Sequence, residues 1–218
     1  MKKITILILT LLFLVGCSNQ KINTRSSQKF ISNDELSENL TIESAVSNNK
    51  LILFITNNNT EIVDTEIKVE FYDQDDKKVS TEEDIYSAIL DKKEIAVVFD
   101  IFKNYDYFKV FIETTKSSFK SYEDKITILE QNDTENFNMK FKITNNAEED
   151  IDYLELAIIY YKDDKIVGVE SEYKSNIKKG KDITFNLSYP YNSKFELIEY
   201  NNFKIYVNEA CTYKKDSE

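Results

Sequence analysis

The feature that most constrains this chain is an internal repeat with a spacing of 88 residues. Ile55-Thr56-Asn57-Asn58 recurs as Ile143-Thr144-Asn145-Asn146, and Val63-Asp64 recurs as Ile151-Asp152. Phe71-Tyr72 maps onto Tyr160-Tyr161 after a one-residue slip. The spacing then returns to 88 for Asp75-Asp76-Lys77 and Asp163-Asp164-Lys165, for Ile89 and Ile177, and for Glu94-Ile95 and Asp182-Ile183. Phe108-Lys109-Val110-Phe111-Ile112 answers Phe203-Lys204-Ile205-Tyr206-Val207. Agreement kept in order over such a length implies duplication of one folding unit, with copies expected at 40–118 and 124–213.

Within each copy the apolar residues alternate. Val63, Thr65, Ile67, Val69 and Phe71 fall on one side, and Asp64, Glu66, Lys68 and Glu70 on the other. Period two is the mark of a half-buried antiparallel strand. Asp73-Gln74-Asp75-Asp76-Lys77 and Lys162-Asp163-Asp164-Lys165 interrupt the alternation as hairpin turns do. Ile183, Phe185, Leu187 and Tyr189 alternate again until Pro190, the chain's one proline. Six or seven strands per copy predict an all-β chain of two small antiparallel two-sheet sandwiches. The one helical candidate is a short turn within Asp34 to Asn39.

The residue inventory excludes several chemistries. His is absent, which removes imidazole triads, imidazole metal ligands and the usual titration near neutral pH. The net charge of -11, with no basic cluster, argues against a nucleic-acid partner. Cys17 and Cys211 are the two cysteines, too few for a disulfide framework.

The N-terminus carries a processing signal. Met1-Lys2-Lys3 precedes an apolar run from Ile4 to Val15. Twelve helical residues rise about 18 Å against a hydrocarbon core of about 30 Å, so the run suits a signal peptide and not a span. It leads into Leu14-Val15-Gly16-Cys17-Ser18, which resembles the bacterial lipobox. The resemblance implies cleavage between Gly16 and Cys17 and lipid on the Cys17 thiol. Residues 1–16 are then the signal peptide, 17–39 the lipidated cysteine with a Ser/Asn/Gln/Lys-rich tether, and 214–218 a C-terminal tail. Acyl chains at about 0.8 kcal/mol per buried methylene anchor a protein whose acidic body the headgroups would repel.

The run from Ile143-Thr144-Asn145-Asn146 through Tyr160-Tyr161-Lys162-Asp163-Asp164-Lys165 resembles the immunoglobulin-like repeats of Gram-positive surface lipoproteins. Ile177-Lys178-Lys179-Gly180, Phe185-x-Leu187-x-Tyr189-Pro190-Tyr191 and Ile205-Tyr206-Val207-Asn208 extend the likeness. The FxLYD-type domain is the named relative. The first copy diverges, with Lys92 in place of Gly180 and no Tyr-Pro-Tyr. The resemblance implies tandem immunoglobulin-like β-sandwiches and transfers no catalytic residue.

Candidate chemistry is sparse. Asp73, Asp75, Asp76, Asp163 and Asp164 offer oxygen ligands for Ca²⁺, although hairpin turns use Asp for backbone hydrogen bonds and no Asp-x-Asp-x-Asp-Gly loop is present. Carboxylate pairs carry no glycosidase argument where 39 acids are spread along a chain. Ser26/Lys29, Ser117/Lys120, Ser171/Lys174 and Ser175/Lys178 all share a Ser-x-x-Lys spacing without its companion motifs. Tyr153, Tyr160, Tyr161, Tyr189, Tyr191, Tyr200 and Tyr206 crowd the second copy, where packing is expected to claim most of them and leave the outward ones for contact. Cys211 is expected to be buried and inert.

The expected function is therefore a non-enzymatic lipoprotein without cofactor. It is held on the extracytoplasmic face of the cell membrane through Cys17, and binds or spaces a protein or envelope component by edge-strand or sheet-face contact. The alternative is a solute- or carbohydrate-binding, wall-active lipoprotein with its site at the junction of the copies. A junction pocket of several hundred cubic ångströms would favour the alternative, and closed cores in both copies the first reading.

Overall fold

The computed structural model describes residues 29–32, 34–101, 104–133, 138–188, 190–191 and 196–213. It is nearly all strand, in four sheets. The strands of the first copy are β1 (Lys29–Ser32), β2 (Leu40–Ser47), β3 (Lys50–Asn57), β4 (Val63–Tyr72), β5 (Lys78–Ile89), β6 (Glu94–Asp100) and β7 (Tyr107–Lys116). Those of the second are β8 (Phe119–Ser121), β9 (Ile126–Asp133), β10 (Asn138–Asn145), β11 (Ile151–Lys162), β12 (Lys165–Ile177), β13 (Asp182–Ser188) and β14 (Asn202–Tyr213).

The first set forms a four-stranded sheet in the order β1-β7-β4-β5 and a three-stranded sheet β2-β3-β6. The second set gives β12-β11-β14-β8 and β13-β10-β9. All pairings are antiparallel except β1 with β7. Alternation sends Leu51, Leu53, Ile55, Ile67, Val69 and Phe71 into one core, and Phe141, Ile143, Leu154, Leu156, Ile158 and Tyr160 into another. The all-β sandwich expected from period two is what these residues build.

The repeat reaches down to single hydrogen bonds. Asn57 and Asn145 are fully buried. The Asn57 amide donates to the carbonyls of Glu61 (2.9 Å) and Ile89 (3.0 Å), and that of Asn145 to Glu149 (3.1 Å) and Ile177 (3.0 Å). Their side-chain oxygens accept from the N–H groups of Asn59 (2.9 Å) and Ala147 (2.8 Å). Every partner lies 88 residues from its counterpart. Left-handed backbone recurs at the same spacing, in Asp76 and Asp164, Ala88 and Asn176, and Lys92 and Gly180. The Ile-Thr-Asn-Asn motif thus repeats because one side chain satisfies loop carbonyls that would otherwise be buried unpaired.

Two strands differ from expectation. Lys29–Ser32, assigned to the tether from its polarity, is β1, whereas Glu35–Glu38 is the short helix α1, the turn expected within Asp34 to Asn39. Asp34 caps α1 by accepting from the Ser37 N–H at 2.7 Å, and the buried Ser37 hydroxyl donates to Thr114 at 2.9 Å. Local composition does not indicate β1, because its partner is β7, far along the chain. Phe119–Ser121, between the two expected copies, is the fourth strand of the second copy's larger sheet. Among the described residues no helix is long and apolar enough to cross a membrane.

Candidate docking face

The site is the outward face of the β12-β11-β14-β8 sheet. On β11, Leu154, Leu156, Ile158 and Tyr160 point into the core, so Tyr153, Glu155, Ala157, Ile159 and Tyr161 point out. Register places Tyr173 and Glu209 opposite Glu155, and Ser171 and Tyr206 opposite Ala157. Directly opposed residues project on the same side, so these strands share one surface.

Half of that surface is covered by the first copy. Ile52 of β3 and Ala96 of β6 pack against Ala157, Ile159 and Tyr206, with Phe54, Val98, Tyr161, Ile166 and Val169 around them. The Phe54 and Tyr206 rings lie 5.6 Å apart. Polar groups fix the register of this seam. The Asn208 side chain accepts from the Ala96 N–H and donates to the Ala96 carbonyl, both at 2.9 Å, pairing with the free edge of β6 as a strand would. Lys93 meets Glu123 at 2.5 Å and Lys204 meets Glu94 at 3.1 Å.

The other half is open and aromatic. Tyr153, Tyr173 and Tyr213 are 42%, 50% and 60% exposed, which is high for rings of their size. Phe119 bridges them, edge-on to Tyr213 at 5.4 Å and to Tyr153 at 6.4 Å, and Tyr173 lies 6.4 Å from Tyr153. The four rings come from β8, β14, β11 and β12, so the group crosses the whole sheet. Exposed contiguous aromatics of this kind mark contact surfaces on otherwise soluble folds.

Carboxylates line the border between the two halves. Glu155 accepts from Asn208 at 3.0 Å and from the Tyr86 hydroxyl of β5 at 3.2 Å. The same hydroxyl lies 3.1 Å from the carboxylate of Asp84. Glu209 accepts the Ser87 N–H across the seam. Burial pushes the Glu155 carboxyl above its ordinary range, with nearby Asp84 adding to it. Burial also pushes Glu209 up to about 7, with Glu155 and Asp84 adding charge of the same sign. Cys211, opposite Tyr153, is fully buried, and its thiol is pushed up to about 12 by burial. Such a thiol is no nucleophile at neutral pH.

The residues singled out from sequence fall as follows. Gly16, Cys17 and Tyr189 lie outside the described residues. The turn acids serve their turns: Asp73 accepts from the N–H groups of Asp75 and Lys77, both at 3.0 Å. Asp76 takes the Tyr107 hydroxyl at 2.8 Å, and Asp163 the Asn201 amide at 3.1 Å. Asp163 and Asp164 both adopt left-handed backbone, as a two-residue hairpin turn requires. Among the described residues no group of three or more acidic or cysteine side chains is arranged to hold a metal ion. Tyr160 is buried and donates to Glu170 at 3.1 Å, while its neighbour Tyr161 lies in the seam, as alternation demands. Tyr86, Asn208, Glu155 and Glu209 were not legible as site residues. The β11–β14 pairing sets Glu155 beside Glu209, and packing of β5 from the first copy brings Tyr86 to them.

At the junction of the copies lies an open groove of about 490 Å³, lined by Lys50, Asp100, Glu170, Ser171, Glu172 and Asn186 among others. Among the described residues no aromatic ring lines it, and Lys50 and Asp100 pair there at 2.6 Å. Comparison with known proteins adds little. No family model matches the chain, and no curated protein matches it. Among solved structures it is similar to a red sea bream transglutaminase, at 7% identity and a TM-score of 0.24, over 70% of this chain and 27% of that one. A likeness of that size carries no argument about fold or activity.

Proposed function

We propose that this chain is a lipid-anchored, extracytoplasmic binding lipoprotein without catalytic activity. Its two immunoglobulin-like copies pack as a pair and dock a protein or envelope component on the open aromatic half of the second copy's larger sheet. The observation that carries this reading is the Phe119, Tyr153, Tyr173 and Tyr213 group, exposed beside a seam where the same sheet already buries apolar residues. A face with that composition suits anchoring by a few rings, as interface hot spots do. The Gly16-Cys17 lipobox supplies the anchor, and the FxLYD-type resemblance agrees with a surface role.

Crosslinking on intact cells tests the docking reading. A stoichiometric partner should be recovered with the wild-type chain and lost with Tyr153→Ala/Tyr173→Ala. Recovery that is indifferent to the double substitution would sink it. Anchoring is tested separately, since Cys17→Ala should abolish labelling by a fatty-acid analogue and leave the precursor uncut. The junction groove favours a second reading, a small polar solute bound between the copies. Protection of the groove residues from exchange by wall-derived saccharides, with the aromatic face unaffected, would select it.

A further inference from the structure

The Tyr86 hydroxyl stands within hydrogen-bond distance of two carboxylates, Glu155 at 3.2 Å and Asp84 at 3.1 Å. A phenol has one hydrogen to give. The two carboxylates can share that hydrogen in a weaker three-centre arrangement, whereas a proton on Glu155, donated to the phenol oxygen, makes both contacts full hydrogen bonds. Without that proton, one hydrogen is shared between two negatively charged acceptors. Glu209 adds to the demand, because it is the direct cross-strand neighbour of Glu155 and shares its face. Like charges in that position repel.

The rest of the seam is different. Glu123 and Glu94 each meet a lysine there, Lys93 and Lys204. Around Asp84, Glu155 and Glu209 the neighbouring groups are Tyr86 and the Ser87 N–H from β5, Tyr153 from β11, Tyr173 from β12, and Asn208 and Cys211 from β14. Asp64 and Asp152 add further negative charge next to Cys211. All are acids or neutral groups. Glu155 and Glu209, half-buried in such surroundings, are relieved by binding protons.

We infer that packing of the first copy onto the second takes up protons at Glu155 and Glu209, beside the Tyr86 hydroxyl and the charge of Asp84, so that the seam holds more tightly in mildly acidic medium than at neutral pH. The sign follows from linkage. A carboxyl that binds its proton more tightly when the seam is closed favours closure below its ordinary titration range. That advantage is lost as pH rises through the closed-state value, about 7 for Glu209. The window thus opens between the ordinary carboxylate range and neutrality. Glu155 and Tyr173 are cross-strand partners, so the same protons sit beside the proposed docking rings. That consequence rests on the docking reading, whereas the seam itself is measured with no partner present, and the two fail independently.

Amide hydrogen exchange on the full chain is the test. The Ser87 and Ala96 N–H groups donate across the seam to Glu209 and Asn208, so their protection reports closure. After correction for intrinsic rates, their protection should fall roughly tenfold or more between pH 5.5 and 7.5, as uptake of about one proton requires. Amides of β10, inside the second copy, serve as the reference and should hold constant. Glu209→Gln and Glu155→Gln keep the shape and remove the charge, and either should flatten the pH dependence while preserving protection at pH 5.5. Equal wild-type protection at both pH values would overturn the inference. So would an undiminished fall in both Gln variants.

Discussion

The two copies have cores of one pattern and differ in which outer face is apolar. On the three-stranded sheet the first copy turns outward Ile52, Phe54, Ala96 and Val98; 88 residues on, the second has Lys140, Lys142, Thr184 and Asn186. On the four-stranded sheet the contrast reverses. The first copy turns out Glu66, Lys68 and Glu70, where the second, one residue slipped, has Glu155, Ala157 and Ile159. The apolar face of one copy meets the apolar face of the other, and their counterparts face away as charged surfaces. The contact is therefore heterologous, joining unlike faces of like units. Duplication supplied one fold, and divergence of alternate outward positions supplied direction.

The largest expected effect comes from exchanging that character at one position. Ala157 is fully buried in the seam with Ile52 and Ala96. Ala157→Asp leaves an unpaired carboxylate there and should cost about 4 kcal/mol, read as a fall in urea midpoint. Lys68→Asp, at the matching position of the first copy, loses mainly a lysine lying 4.9 Å over the Phe111 ring, worth about 0.5 kcal/mol. Equal losses in the two variants would mean that the two faces are not distinguished as described.

The comparison also shows what was legible in the chain. Period two in Val63 to Phe71 and in Ile183 to Leu187 indicates half-buried strands, and the 88-residue spacing indicates that they come twice. Both follow from local pattern, because strand alternation is written in neighbouring residues. The docking face is not local. Tyr173, Tyr153, Tyr213 and Phe119 lie on four strands, and register alone sets them side by side. Of the tyrosines that crowd the second copy in sequence, Tyr153 reaches this face while Tyr160 and Tyr206 are buried, and Tyr173, Tyr213 and Phe119 stand outside that series. Glu155 and Glu209 look like any other acids in a chain with 39 of them. Segments held by distant partners, such as β1 against β7, escape a local reading for the same reason.

A smaller effect separates the two asparagine staples. Asn57 donates to three carbonyls, those of Glu61, Ile89 and Leu90, where Asn145 reaches two. Asn57→Ala leaves buried acceptors unpaired at about 1 to 3 kcal/mol each before relaxation, so a net loss of about 3 kcal/mol is expected. Asn145→Ala should cost somewhat less, about 2 kcal/mol. Parallel urea titrations with unchanged slope would verify the order, and a reversed order would show that carbonyl count does not set the cost.

The smallest effect is the one that most sharpens the equivalence of the copies. Lys92 and Gly180 occupy the same turn, at φ of 56° and 64°, and their N–H groups donate to the Asn57 and Asn145 carbonyls at 2.6 and 2.9 Å. The hydrogen bond, and with it the left-handed backbone, has been kept in the first copy although the residue that favours it has not. A side chain in that region costs about 1 kcal/mol or more, offset in part by the greater freedom glycine loses on folding. Lys92→Gly should therefore stabilise the chain by about 0.5 kcal/mol and Gly180→Lys destabilise it by a similar amount. Space does not enter, because a Cβ built on Gly180 meets nothing within 4 Å and Lys92 is exposed. Opposite shifts in melting temperature from the two substitutions would tie both turns to one backbone requirement. Shifts of the same sign would mean that Lys92 is held there by contacts of its own.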